Sequence, residues 1–325
     1  MKCVIRGTAM KKILIGVAAI LALTRAPVIA ADMLVKAPPP APVNSWTGFY
    51  VGGNVGGSWG NSPTDIAGSA TTVALPGVGG GFPGNNVAFA DSNTARPNGV
   101  IGGGQIGYNY QFSPKWVLGF EADIQGSGER GSTAFADPFS TTVCAVAAVG
   151  PPPACLAAPG TLNVTAATAY DARISWFLTV RGRLGFLIGD QVLLYGTGGL
   201  AYGRVGVSGI TNVTGIEITN GFPATIALTP AATAFSESKI NVGFAVGGGI
   251  EGGFSYLLPA GWTWKLEYLY VDLGSLDTAA PFPGAFVPIP GSPFLATSPF
   301  AGAIATQTRF TDNIVRVGLN YKFGN

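Results

Sequence analysis

The chain has 325 residues and a formal charge of +2; 47% of its residues are hydrophobic, only 10% are charged, 49 are glycine and none is histidine. Without histidine a Ser-His-acid hydrolase is excluded, and of three cysteines Cys3 falls in an N-terminal leader, so Cys144 and Cys155 alone make a poor metal site and no metal and no cofactor are expected. The sparse charge forms no basic run of the kind that holds a nucleic acid, so none is expected as a partner.

The first element is a leader. MKCVIRGTAMKK is basic, Ile13 to Leu23 is an apolar run, and small residues around Ala30 and Ala31 offer a cleavage site. The run is too short to span a bilayer as a helix, which takes about 20 residues, so an N-terminal anchor is the weaker reading. Residues 1–30 are read as a secretory signal peptide cleaved after Ala30 or Ala31, with Met10 an alternative start to Met1. Lys2, Arg6, Lys11, Lys12 and Arg25 leave with it. Of 18 basic and 16 acidic residues, 13 and 16 remain, a net charge of 13 − 16 = −3. Residues 31–45 contain KAPPPAPV, whose prolines favour a stiff extended spacer.

From Trp46 to Phe323 the chain repeatedly alternates with period two, the signature of strands with two different faces. Phe49, Val51, Val55 and Trp59 oppose Tyr50, Gly52, Asn54 and Ser58. Val100, Ile106, Tyr108, Tyr110 and Phe112 oppose Gln105, Asn109 and Gln111. Trp116, Leu118, Phe120, Ala122 and Ile124 oppose Glu121, Asp123 and Gln125. In SWFLTVRGRLGF, Trp176, Leu178, Val180, Leu184 and Phe186 oppose Phe177, Thr179, Arg181, Arg183 and Gly185. The fifth segment, QVLLYGTGGLAYGRVGV, is apolar in both frames, and a bulge would account for that. In the sixth, Val242, Phe244, Val246, Ile250 and Phe254 oppose Asn241, Ala245 and Glu251. In the seventh, Trp262, Trp264, Leu266, Tyr268 and Tyr270 oppose Lys265 and Glu267. In the eighth, Val315, Val317, Leu319, Tyr321 and Phe323 oppose Arg316, Asn320 and Lys322.

The connections alternate between tight turns, such as Ser113 to Lys115 and Leu257 to Gly261, and stretches of roughly 30 to 40 residues rich in Gly, Ala, Ser, Thr and Pro. None of the 24 prolines falls within the eight alternating segments. An all-β, eight-stranded antiparallel up-and-down transmembrane β-barrel, with short periplasmic turns and four long extracellular loops, accounts for both patterns. A soluble sandwich explains neither the loops nor the charges on one strand face.

In such a barrel one face meets lipid and the other the lumen. An arginine on the lipid side costs about 2–4 kcal/mol near the midplane, so Arg181 and Arg183 belong inside and pin the register of their strand. The same face of other strands carries Glu121, Asp123, Glu251 and Glu267 with Lys265, Arg316 and Lys322. These nine residues are expected to form a lumenal salt-bridge network. Trp46, Phe112, Trp116, Tyr256, Trp262, Trp264, Tyr321 and Phe323 are expected near the periplasmic interface, and Trp59 and Trp176 near the outer one. Cys144 and Cys155, in CAVAAVGPPPAC, are expected to pair as a disulfide in an oxidising compartment, free thiols being the alternative.

SWTGFYVGGNVGGSWG, TVRGRLGF, YGTGGLAYG, KLEYLYVDLG and the terminal NIVRVGLNYKF resemble the OmpA-like, outer-membrane immunogenic porin-family proteins of Gram-negative bacteria. The resemblance implies an eight-stranded outer-membrane barrel and a C-terminal assembly signal. Tyr321 and Phe323 match that signal, although Gly324 and Asn325 follow where the family usually ends on Phe. Outer-membrane lipid and lipopolysaccharide, and the barrel-assembly machinery during insertion, are the expected partners.

GGGQIG, Gly102 to Gly107, fits a dinucleotide fingerprint in letters, but it lies inside an alternating strand rather than before a helix. A carboxylate-only enzyme using Glu121 and Asp123 is formally open, but the two sit on a charged lumen face, so no enzyme is expected. Two readings of function follow: a structural, surface-displaying barrel whose lumen is closed or nearly closed, or a small-pore porin or surface haem-binding receptor. An eight-stranded bore is about filled by its own side chains, which favours the first.

Overall fold

A computed structural model of the chain describes residues 45–72, 86–143, 160–189, 191–218, 226–253, 261–288 and 298–323, all within one compact unit, Asn44–Asn325. The expected signal peptide, the proline-rich segment up to residue 44, Phe254, Tyr256 and both Cys144 and Cys155 lie outside the described residues.

The described chain forms nine β segments: β1 (Gly48–Thr72), β2 (Asn86–Ala95), β3 (Asn98–Ser113), β4 (Trp116–Val143), β5 (Gly160–Ile188), β6 (Val192–Ile218), β7 (Ile226–Gly253), β8 (Trp262–Pro288) and β9 (Ser298–Phe323). β2 and β3 are two parts of one stave. Both pair with β1, β2 against Ser62 to Thr71 and β3 against Gly48 to Trp59. The break falls at Arg96-Pro97, where Pro97 has no N–H for a ladder but its carbonyl accepts a 2.6 Å bond from the Gly60 amide. Nine segments therefore build eight staves. Each is antiparallel to its neighbours, and pairing from Phe49↔Phe323 to Thr72↔Phe300 closes β1 onto β9. Closure leaves no strand edge at the seam, the condition for spanning lipid with strands.

The alternation fixes which face is which. On β1, Phe49, Val51, Val55 and Trp59 are exposed while Tyr50, Asn54 and Ser58 are buried. The same inversion holds for Ile106 against Gln105, Phe120 against Glu121, Val246 against Ala245 and Val317 against Arg316. Apolar side chains outside and polar ones inside are stable only where the surrounding solvent is hydrocarbon. The apolar belt defines the membrane-spanning segments: 49–59 of β1, 100–112 of β3, 116–126 of β4, 176–188 of β5, 192–202 of β6, 242–253 of β7, 262–270 of β8 and 313–323 of β9. These lengths suit a tilted strand, which needs roughly 9–11 residues to cross.

The ambiguous fifth segment is β6, and it is regular: Leu193, Tyr195, Thr197, Ala201, Val205, Val207, Thr211 and Val213 are all buried. The bulge lies instead in β5, where pairing to β6 slips between Ile174 and Trp176. Inward residues are even-numbered up to Ile174 and odd-numbered from Phe177, so Ser175 is the extra residue.

The staves also run far beyond the belt. Sequence patterning places structureless connections of roughly 30 to 40 residues there, but β4 and β5 stay paired from Trp116↔Phe186 to Val143↔Gly160. Threonine pairs tie the inner face of these extensions, Thr64 to Thr308 at 2.9 Å and Thr168 to Thr211 at 2.9 Å. The expectation that strands avoid proline is corrected for the same region, since Pro63, Pro138, Pro230, Pro281 and Pro283 lie within strands. For three of them the ladder explains the tolerance. Pairing between β7 and β8 is interrupted between Leu228↔Phe286 and Phe244↔Asp272, and Pro230, Pro281 and Pro283 lie in that interrupted stretch, where the β7–β8 ladder asks no N–H of them.

Candidate functional site

Three layers fill the interior. At the short-turn end Trp46, Val117, Leu187, Leu193 and Tyr195 form a small apolar cluster. From the upper part of the belt outward a larger one includes Phe177, Ile174, Val205, Leu273, Phe310 and Ile314. Between them lies the charged layer.

Alternation brings acids and bases together in direct cross-strand pairs: Glu121 of β4 opposite Arg181 of β5, Glu251 of β7 opposite Lys265 of β8, and Glu267 of β8 opposite Arg316 of β9. The side chains then reach across the bore. Lys265 Nζ donates to both Glu121 oxygens at 2.8 and 2.9 Å, although β4 and β8 are four staves apart in a ring of eight. Arg181 Nη2 lies 2.6 Å from Glu121 Oε1 and 2.7 Å from Asp123 Oδ2, and its Nη1 lies 3.3 Å from Glu267 Oε1. Arg316 grips Glu267 at 2.5 Å and Asp123 at 3.1 Å. Arg183 Nη2 meets Glu251 Oε2 at 2.6 Å. All eight side chains are essentially solvent-free. Four carboxylates meet four cations, so the layer carries no net charge, which a buried assembly requires.

Neutral neighbours meet most of the remaining lone pairs and donors, Arg183 Nε being an exception. Thr179 Oγ1 accepts from Arg181 Nε at 2.8 Å and donates to Asp123 at 2.7 Å. Tyr50 donates to Glu121 at 2.7 Å, and Tyr195 to Glu267 at 2.9 Å. The Arg183 guanidinium stacks 4.0 Å from the Tyr195 ring. Asn320 and Thr263 both donate to Glu251 Oε1, at 3.0 and 2.7 Å. Two glycines make room for the phenols: a Cβ on Gly107 would collide with the Tyr50 hydroxyl, and one on Gly249 would come within 2.8 Å of that of Tyr195. Gly107 is the last glycine of GGGQIG, and the whole motif lies within β3.

Of the nine charges read from the sequence, Lys322 stands apart. It is half-buried, one residue from the end of β9, and its ammonium donates to the Ser45 carbonyl at the rim. Trp46 also departs from expectation. It is buried in the short-turn cluster, its amide donating to Gln111 Oε1 at 3.0 Å, rather than facing lipid. Phe112, Trp116, Tyr321 and Phe323 do face outward at that end, in contacts such as Trp116–Phe186 and Trp262–Tyr321, and Tyr321 stacks edge-on with Phe323. Trp59 is exposed at the opposite end of the belt.

A second acidic group was not foreseen. Glu129 and Asp312 are buried just beyond the membrane-spanning segments, where the outward neighbours Arg130 and Thr311 are polar. Ser127 donates to Glu129 at 3.0 Å. No cation meets either acid among the described ion pairs, and both Asp312 oxygens lack a hydrogen-bond donor. Burial and the facing Glu129 carboxyl push the Asp312 carboxyl up to about 9, and burial raises Glu129 as well.

Comparison with known proteins agrees with this architecture. The family described as the outer membrane protein beta-barrel domain matches residues 28–323. A 31 kDa outer-membrane immunogenic protein of Brucella melitensis is 30% identical over 313 residues, covering 94% of this chain and 98% of the relative. A 22 kDa outer membrane protein of Rhizobium leguminosarum is 27% identical over 241 residues, 74% of this chain and 70% of its own length. Among solved structures, OprG from Pseudomonas aeruginosa aligns over 85% of this chain and 97% of its own, at 12% identity and a TM-score of 0.26.

Proposed function

The chain belongs to the outer-membrane β-barrel domain family and sits in the outer membrane, and from that premise we propose that it is a closed structural barrel that holds extended hairpins above the bilayer. The observation that carries this is the 2.8 Å contact between Lys265 and Glu121 from opposite walls, within a layer of eight mutually paired charges. Side chains that touch across the full bore leave no aqueous path between them, and an eight-stranded ring has little spare width to begin with. Apolar clusters on both sides of the layer deny ions a hydrated route to it.

Arg181 and Arg183 act as ties between walls rather than as selectivity residues. Removing Arg183 takes from Glu251 its ion-pair partner, and removing Arg181 leaves Glu121, Asp123 and Glu267 one cation short, so the layer fixes both register and ring closure. Tyr321 and Phe323 at the end of β9 serve as the assembly signal. Surface display follows from the extended staves, and the 31 kDa immunogenic relative is similar to this chain over nearly its whole length.

Solute flux tests the reading. Proteoliposomes carrying the folded barrel should swell in small sugars no faster than protein-free liposomes. Swelling that falls off with solute size would replace the closed barrel by a small porin.

A further inference from the structure

We infer that the outer wall of β4, β5 and β6 carries a binding site for a phosphorylated glycolipid of the outer leaflet, with Arg130, Arg173 and Arg204 holding the phosphate. All three point outward and are exposed. Arg130 stands directly opposite Arg173 across the β4–β5 ladder. Arg173 pairs with Gly206 and Arg204 with Trp176 across the β5–β6 ladder. The Arg173 side chain lies over Gly206, where an added Cβ would come 3.0 Å from its Nε. Three guanidiniums are thus gathered on three adjacent staves.

Like charges placed directly opposite in a sheet repel, so the arrangement calls for a counter-anion. The chain does not supply one: among the described residues none of the three has a carboxylate within ion-pair distance. Arg204 Nε is tied only to Ser238 Oγ, at 3.0 Å. By contrast Arg309, outward on β9, has its own partner in Asp272 at 2.5 Å.

Height along the wall identifies the anion. Trp176 and Tyr202 end the apolar belt on β5 and β6; Arg204 stands opposite Trp176, and Arg130 and Arg173 form the row beyond. That is the level at which lipid phosphates sit, and planar guanidiniums recognise phosphate through paired N–H donors. Immediately beyond the arginines, on the same three strands, lies a wide, open groove of about 570 Å³ with Ser132, Asp171 and Ser208 on its near side and Ala134, Ala169 and Ile210 on its far side. Hydroxyls and one carboxylate suit sugar hydroxyls, which both donate and accept. Apolar belt, arginines and the polar near wall of the groove therefore match acyl chain, phosphate and sugar in order. The ligand class is a phosphorylated glycolipid, drawn from the membrane and not from free solution.

The test uses the folded full-length barrel in detergent micelles, titrated with purified lipopolysaccharide, with the same lipid after phosphatase treatment, and with inorganic phosphate. The wild type should bind lipopolysaccharide. R130Q/R173Q/R204Q should bind about 100-fold more weakly, since each basic residue at the surface contributes about fivefold. R309Q should bind as the wild type does. Unfolding midpoints of all variants, read in the same micelles, separate lost binding from lost folding. Equal binding by the triple variant and the wild type would overturn the site, as would equal binding of the phosphatase-treated lipid. Competition by inorganic phosphate at the lipid's own affinity would show an anion site without lipid recognition and would also overturn the proposal. If the triple variant fails to fold, Ser132→Trp, which fills the groove from an exposed position, must lower lipopolysaccharide binding while leaving folding intact, and unchanged binding overturns it.

Discussion

Two sets of carboxylates are buried in this barrel, and their surroundings are opposite. Glu121, Asp123, Glu251 and Glu267 lie within the belt and each meets at least one cation at 2.5–3.1 Å. Glu129 and Asp312 lie beyond the belt, equally buried, and meet each other. Burial costs every one of them its hydration. In the first set four cations offset that cost; in the second it is relieved by holding a proton. Register supplies bases to the first set and none to the second, where burial and the facing carboxyl favour the protonated form of Asp312 instead.

Breaking the first set should have the largest effect. Arg181→Met leaves Glu121, Asp123 and Glu267 to share Lys265 and Arg316 in a layer one cation short, and should lower unfolding free energy by about 3–5 kcal/mol in urea titrations of the barrel in vesicles. Replacing Glu121 and Lys265 together, by Gln and Met, should cost less than the sum of the singles, with a coupling of about 0.5–3 kcal/mol. Crowding the layer without removing charge should be milder. Gly107→Ala drives a methyl into the Tyr50 hydroxyl and should cost about 1–3 kcal/mol.

The second set should respond to pH in the direction its protonation dictates. A carboxyl raised to about 9 in the folded barrel, against about 3.9 unfolded, makes the folded state bind the extra proton. Its contribution is full below pH 4 and is lost as pH rises toward 9. Asp312→Asn should flatten that decline and, at pH 9.5, make the barrel about 1–3 kcal/mol more stable than wild type. A steeper decline in the variant would contradict the paired-carboxyl account. Smallest of all, Arg309→Gln breaks an ion pair whose arginine is 58% exposed, and should change stability by less than about 1 kcal/mol.

Much of this was legible in the chain. Period-two alternation placed Glu121, Asp123, Arg181, Arg183, Glu251, Lys265, Glu267 and Arg316 on inward faces, because charge cannot face lipid cheaply. Which acids meet which bases across the bore was not legible. Ring closure and stagger decide that Lys265 meets Glu121, and neither leaves a mark on local sequence. Tyr195 was hidden by β6, where both faces are apolar: Leu194 and Leu200 face lipid, while Ala201 and Val205 face the inner cluster. The slip at Ser175 was hidden for a similar reason, since Ile174 and Phe177 both read as apolar positions of one strand. The outer extensions were mistaken for loops because Thr, Ala, Gly and Ser alternate there without hydrophobic contrast. Arg130 and Arg173 went unnoticed because each is a lone charge until the β4–β5 ladder sets them opposite.

Single-channel recording across a planar bilayer tests the central claim most directly. The folded barrel, its insertion verified, should hold the membrane at its bare conductance over long records, and Lys265→Ala, which opens the contact with Glu121, should introduce discrete steps. Steady, reproducible steps from the wild type would contradict a bore closed by paired charges.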